Sequence, residues 1–112
     1  MNTAFANEAV RIHAATKMTD TQIGQAVGAA ASTVRDWLNH RTNPTRERAQ
    51  RIAELAEIVD RLGRVIPADY IAVWLYKPIE ALDDESPIDL IARGEARRVA
   101  QVVSGLESPG AS

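Results

Sequence analysis

Apolar positions in this chain recur at helical spacing nearly from end to end, and nowhere do they alternate convincingly with the period of two that a strand needs. Ala4 to Lys17 reads as a first helix with Phe5, Ala9, Ile12 and Thr16 along one side. Thr19-Asp20-Thr21-Gln22 is a capping box: the Thr oxygen accepts a free amide while Gln22 reaches back. It opens a short helix ending at Gly28, and Ala31 or Ser32 starts another that runs to about Asn39. Asn43-Pro44 reads as a cap and first turn. The longest helix follows, with Ile52, Leu55, Ala56, Val59 and Leu62 on its apolar face. Pro67 fits the first turn of a helix from Ala68 to Tyr76, with Ile71, Trp74 and Leu75 inward, and Lys77-Pro78 breaks it. Ile79 to Leu82 reads as one helical turn before the acidic loop Asp83-Asp84-Glu85. Ser86-Pro87-Ile88-Asp89 combines a Ser cap, a Pro just inside and an acid in the first turn. Gly94 separates that short helix from a last one, Glu95 to about Leu106, with Val99, Val102, Val103 and Leu106 as its apolar positions. The expected fold class is all-α.

Gly63 to Pro67 is the one internal boundary this pattern offers. The organisation it predicts is a unit over residues 1–64, a second over 65–106, and a flexible tail over 107–112. At 112 residues the chain holds one domain, or two small helical units sharing a core. Aromatics are only 4% of the composition, so aliphatic side chains must do the packing, which favours helices over a sheet. With no cysteine there is no disulfide, thiolate metal site or cysteine nucleophile. The start shows no signal-peptide pattern, and no apolar run approaches the roughly 20 residues that span a bilayer. A cytoplasmic protein without membrane association is expected.

The net charge of −2 conceals a split: residues 1–64 carry nine Lys and Arg against seven Asp and Glu, whereas residues 65–112 carry four against eight. Arg35, Arg41, Arg46, Arg48 and Arg51 lie close together against only Asp36 and Glu47, a local basic patch of the kind phosphate contacts need. The acidic second half points to a different partner, though two solvated faces would look the same.

The stretch from Asp20 to Asn39 has the residue types of a helix-turn-helix. Gly28 supplies the positive φ of the bend, the small Gly24 lets the two helices meet, and Ile23, Val27, Val34 and Trp37 occupy the core positions. Trp37 belongs to that core and not to base stacking. The stretch resembles the Xre/repressor-like family, with two departures: Asp20 stands where that family usually has Gln, and Gly24 where it more often has Ala. The resemblance implies an outward recognition-helix surface of Ala31, Ser32, Arg35, Asp36 and Asn39. The residues assigned to DNA are Ser32, Arg35, Asn39, Arg41 and Arg46, with Arg35 suited to a guanine edge and Asn39 to an adenine edge or a phosphate. Asp36 repels phosphate unless it accepts from a cytosine amino group or pairs with Arg35.

Further on, Val73-Trp74-Leu75-Tyr76-Lys77-Pro78, Ala81-Leu82, Ser86-Pro87-Ile88-Asp89-Leu90-Ile91, Gly94-Glu95 and Arg98-Val99 follow one another at a distinctive spacing. This succession resembles the Xre/MbcA/ParS toxin-binding family, found in antitoxins paired with RES-domain toxins. The resemblance implies a non-enzymatic antitoxin that dimerises and binds its own operon's promoter through the N-terminal unit. It also implies that the C-terminal half binds beside the active site of an NAD-consuming RES-domain toxin and obstructs it. The residues assigned to the toxin are Arg93, Glu95, Arg97, Arg98 and Gln101, arginine being enriched in binding hot spots. Trp74 and Leu75 read as core, and Asp89 as a helix-start charge.

Other chemistry is not supported. His13 and His40 fall in different elements without a carboxylate at metal-ligand spacing, and Asp83-Asp84-Glu85 lacks the alternating ligands of a calcium loop. Ser32, Ser86 and Ser104 have no accompanying base, and no glycine-rich phosphate cradle exists, so no cofactor is expected. Two other readings stay open: a plain transcriptional regulator with a C-terminal dimerisation domain, and an adaptor whose helix-turn-helix binds only protein.

Overall fold

The computed structural model describes the backbone of residues 4–108, with side chains from Glu8 onward. The side chain of Phe5 and residues 109–112 of the expected tail lie outside the described residues. Seven α-helices make up the described chain: α1 Ala4–Thr16, α2 Asp20–Val27, α3 Ala31–Leu38, α4 Arg46–Leu62, α5 Ala68–Tyr76, α6 Pro87–Ala92 and α7 Ala96–Glu107. A 3-10 turn at Glu80–Leu82 stands between α5 and α6. The fold is all-α, as the periodicity predicts.

The long helix α4 is the axis of the packing, touching α1, α2, α6 and α7. Its expected apolar face is buried in full, and Ala49 and Ile58 join it. Around it α2 packs on α3 and α6, α1 on α3 and α5, and α7 on α6. One continuous hydrophobic cluster results, running from Ile12 through Trp37 and Leu55 to Leu90 and Val103. The two halves therefore share a core. Each large side chain buried there contributes on the order of 1.5–3 kcal/mol.

Polar bonds reinforce the joints. The Tyr76 hydroxyl of α5 donates to Gln25 Oε1 of α2 at 3.0 Å, and burial, with the charge of Asp89, holds its phenol above the ordinary value. At the far end Arg61 of α4 donates to Glu107 Oε1 through Nε at 3.1 Å and Nη2 at 2.6 Å, and to Ser104 Oγ at 2.8 Å. That pair raises the arginine's pKa and lowers the carboxylate's. Glu107, expected in the tail, is consequently the last residue of α7.

Several boundaries differ from the sequence reading. The cap of α4 is Thr45, not Asn43: its hydroxyl accepts from the Arg48 amide at 3.3 Å. Asn43-Pro44 is compatible with a cap and first turn, but the extended cap geometry, ψ 163°, stands at Thr45, and α4 begins at Arg46. Pro67 stands one residue outside α5, with an extended ψ of 145°. α1 ends at Thr16, whose buried hydroxyl donates to the Ile12 carbonyl at 2.7 Å and accepts from the Met18 amide at 3.0 Å. Leu106 is 39% exposed instead of inward, because the last turn of α7 is held to α4 by Arg61 and not by apolar packing. Among the described residues no helix is long and apolar enough to cross a membrane.

Candidate functional site

Two faces carry the residues assigned to binding. The first is the α2–α3 hairpin. The capping box forms as read: Gln22 N donates to Thr19 Oγ1 at 3.1 Å, and Thr19 N donates to Gln22 Oε1 at 2.9 Å. Gly28 closes the helix at φ +76°, and the Ala29 amide donates to the Gly24 carbonyl at 2.9 Å. Gly24 is required by that close turn, since a Cβ there would collide with the carbonyl oxygen of Ala29. This is why the position holds Gly where Ala is the commoner choice. Val34 and Trp37 seal the inner side of α3, each at most 3% exposed, which places Trp37 in the core.

Ser32, Arg35 and Asn39 fall at i, i+3 and i+7 of α3 or its cap, and all three are exposed on one stripe. Arg41 follows, exposed, and pairs with Asp36 at 3.7 Å. Asp36 thus takes Arg41 as its partner and not Arg35. Arg35 instead lies 3.6 Å from Asp20 Oδ2, and the other oxygen of Asp20 is 2.7 Å from His13 Nε2. Arg46 is the exposed first residue of α4, beside Pro44, Ala49, Gln50 and Ala53. Arg51 is withdrawn from the expected basic patch. Its side chain is only 18% exposed, lies between Glu47 and Glu54, and rests against Gly94. Its spacing to Glu47 and Glu54 on one helix is the signal the sequence held, whereas its contact with Gly94 is remote along the chain.

The second face joins the Glu80–Leu82 turn, α6 and α7. Arg93 donates to Glu85 Oε2 and to Glu95 Oε2, each at 2.9 Å. Arg98 donates to Glu95 Oε1 at 3.1 Å and to Asp83 Oδ2 at 3.0 Å. The result is a ladder, Glu85–Arg93–Glu95–Arg98–Asp83, laid across the loop. The arginine bonds hold the carboxyls of Glu85 and Glu95 below the ordinary carboxylate value of 4.5. Behind the ladder, the Ile79 amide donates to the Glu85 carbonyl and the Asp84 amide to the Ile79 carbonyl, pinning Asp83 and Asp84 at φ near +60°. Three of the five residues assigned to the toxin are therefore tied to one another within the chain. Arg97 and Gln101 are exposed. Gln101 and Arg98 border an open cleft of about 420 Å³ floored by Ala81, Leu82, Val102 and Gly105. Arg97 borders a smaller one between α4 and α7, with Glu54, Glu57 and Arg61. The cleft and the ladder were missed in the sequence because both depend on a loop folding back, across 8 residues from Glu85 to Arg93 and 15 from Asp83 to Arg98. Among the described residues no group of three or more His, Cys, Asp or Glu side chains could hold a metal ion.

No protein-family model matches the chain. The mycobacterial cidal antitoxin MbcA of Mycobacterium tuberculosis (strain ATCC 25618 / H37Rv) is 33% identical over 89 residues, covering 80% of this chain and 79% of that protein. MbcA of Mycobacterium bovis (strain ATCC BAA-935 / AF2122/97) gives the same figures. In three dimensions the chain is similar to one in the crystal structure of the M. tuberculosis MbcT–MbcA toxin–antitoxin complex, with a TM-score of 0.84, 28% identity and 96% of each chain covered. Shared sequence over four-fifths of the chain, on a shared fold over nearly all of it, places this protein in the MbcA antitoxin family, a family of antitoxins and not of enzymes.

Proposed function

We propose that this protein neutralises a cognate toxin of the MbcT kind by binding it through residues 65–106 and obstructing its active site. The toxin class is the RES-domain, NAD-consuming one implied by the resemblance of the C-terminal half. The observation that carries the reading is the 96% coverage, at TM-score 0.84, of a chain from a toxin–antitoxin complex. Within the second face, the contact surface is the outer side of α7, with exposed Arg97 and Gln101 and the cleft over Leu82 and Val102. The arginine ladder holds that surface in shape. The first face, over residues 1–64, binds the operon's own promoter as a homodimer through Ser32, Arg35, Asn39, Arg41 and Arg46. Support for this comes from the geometry of the α2–α3 hairpin and the exposed stripe on α3.

The test is co-expression with the product of the neighbouring reading frame, followed by size exclusion and an assay of NAD consumption. The expected result is a stable complex in which NAD loss is blocked. An Arg97→Glu, Gln101→Glu variant that melts normally should release NAD consumption; full inhibition by that variant would move the contact away from the outer side of α7.

A further inference from the structure

Asp20 stands at the first position of α2, a place where an acid is ordinarily explained by the helix dipole or by capping. Here capping is already complete without it, because Thr19 and Gln22 bond each other's backbone amides. Both oxygens of Asp20 are turned instead to side chains of other helices: Oδ1 to His13 Nε2 at 2.7 Å, Oδ2 to Arg35 Nη1 at 3.6 Å. Asp20 and His13 are mostly shielded, at 22% and 32% side-chain exposure, whereas Arg35 is 57% exposed. The carboxylate is thus the shielded member of the pair, and the guanidinium of Arg35 is the exposed one.

A pair this wet and this long adds little to stability. A carboxylate on a surface that meets phosphate also weakens every DNA contact around it. The helix dipole explains an acid at this position, and the geometry gives it a second use. Arginine has many rotamers, and reading a guanine edge requires one planar orientation, so ordering it beforehand improves discrimination more than overall affinity. We infer that Asp20, anchored by His13, is a positioning residue that sets the base discrimination of Arg35. This rests on the DNA-binding reading of the first face.

The experiment selects bound duplexes from a pool with a randomised central window, using the whole chain, and then measures single-base substitutions in the winning site. Wild type should show one base pair whose discrimination is lost in Arg35→Ala. In Asp20→Asn, which keeps the shape and can still hydrogen-bond His13, discrimination at that pair should fall about five- to tenfold. Binding to unrelated duplex should stay the same or tighten, and the melting temperature should barely move. Placed on top of Arg35→Ala, the Asp20→Asn change should remove nothing more. His13→Ala, which frees the carboxylate, should give a smaller loss at the same pair. Undiminished discrimination in Asp20→Asn overturns the inference, and so does an equal loss at every position or an equal effect in the Arg35→Ala background. If wild type retains no duplex at all, the DNA-binding reading itself fails and takes this role with it, a result distinct from the other three.

Discussion

The α2–α3 hairpin and the α6–α7 face lie on the same core, yet they are held in shape by different physics. In the hairpin the turn itself is set locally: Thr19 caps three residues on, Gly28 turns the chain, and Gly24 lets a carbonyl five residues later come close. In the α6–α7 face the determinants are charges brought together by the fold, with Arg98 reaching Asp83 across 15 residues and Arg93 reaching Glu85 across 8. A surface built from turn chemistry tolerates salt and acid. A surface built from exposed ion pairs yields to both.

Breaking the shared core should erase the contrast altogether. Trp37→Ala should cost about 3–5 kcal/mol, and the chain should still unfold in one thermal transition, with both faces lost together. Two separate transitions would mean that the halves do not support each other. Gly24→Ala attacks the hairpin alone; the collision with the Ala29 carbonyl should cost about 1–3 kcal/mol, read from the denaturation midpoint. Arg35→Ala should leave the melting curve unchanged and cost about 1–3 kcal/mol of binding at a specific duplex. Thr45→Ala should cost about 1 kcal/mol, while Asn43→Ala should cost nearly nothing, which checks the start of α4. The smallest effect belongs to the ladder. Glu85 and Glu95 have folded values below 4.5, so their contribution is complete above pH 4.5 and fades as pH falls through the lowered values. Being exposed, it should show only as a modest drop in melting temperature below that pH. The same drop should appear in strong salt at neutral pH, and both should be smaller in Arg93→Gln, which leaves the Arg98 and Arg61 pairs in place.

The same contrast explains what could be read from the chain beforehand. All the helices, the capping box, the inward stripe of α4 and the core place of Trp37 follow from short-range spacing, and they stand in the structure. The start of α4 was misplaced by two residues because Asn43-Pro44 and Thr45 are both plausible cap signals, and only backbone geometry separates them. Leu106 was misassigned for a different reason: periodicity marks a side of a helix but not where its partner ends. Residues could be assigned to binding one by one from the sequence, but their partners within the chain could not. Asp36 could as well have paired with Arg35 as with Arg41, and nothing local foretold that Asp20 would bridge His13 and Arg35. Arg61 meeting Glu107 was beyond reach for the same reason, the two lying 46 residues apart.

Because α4 forms the wall of both halves, global unfolding takes both faces together. Any ligand that binds only the folded protein then protects all of it, by RT ln(1 + [L]/Kd), or about 2.7 kcal/mol at a hundredfold excess over Kd. A partner on α7 would slow the digestion of α3 by a protease, although it never touches that helix. Degradation that proceeds through global unfolding is accordingly slowed by a ligand on either face. When a partner leaves, the whole molecule becomes vulnerable at once.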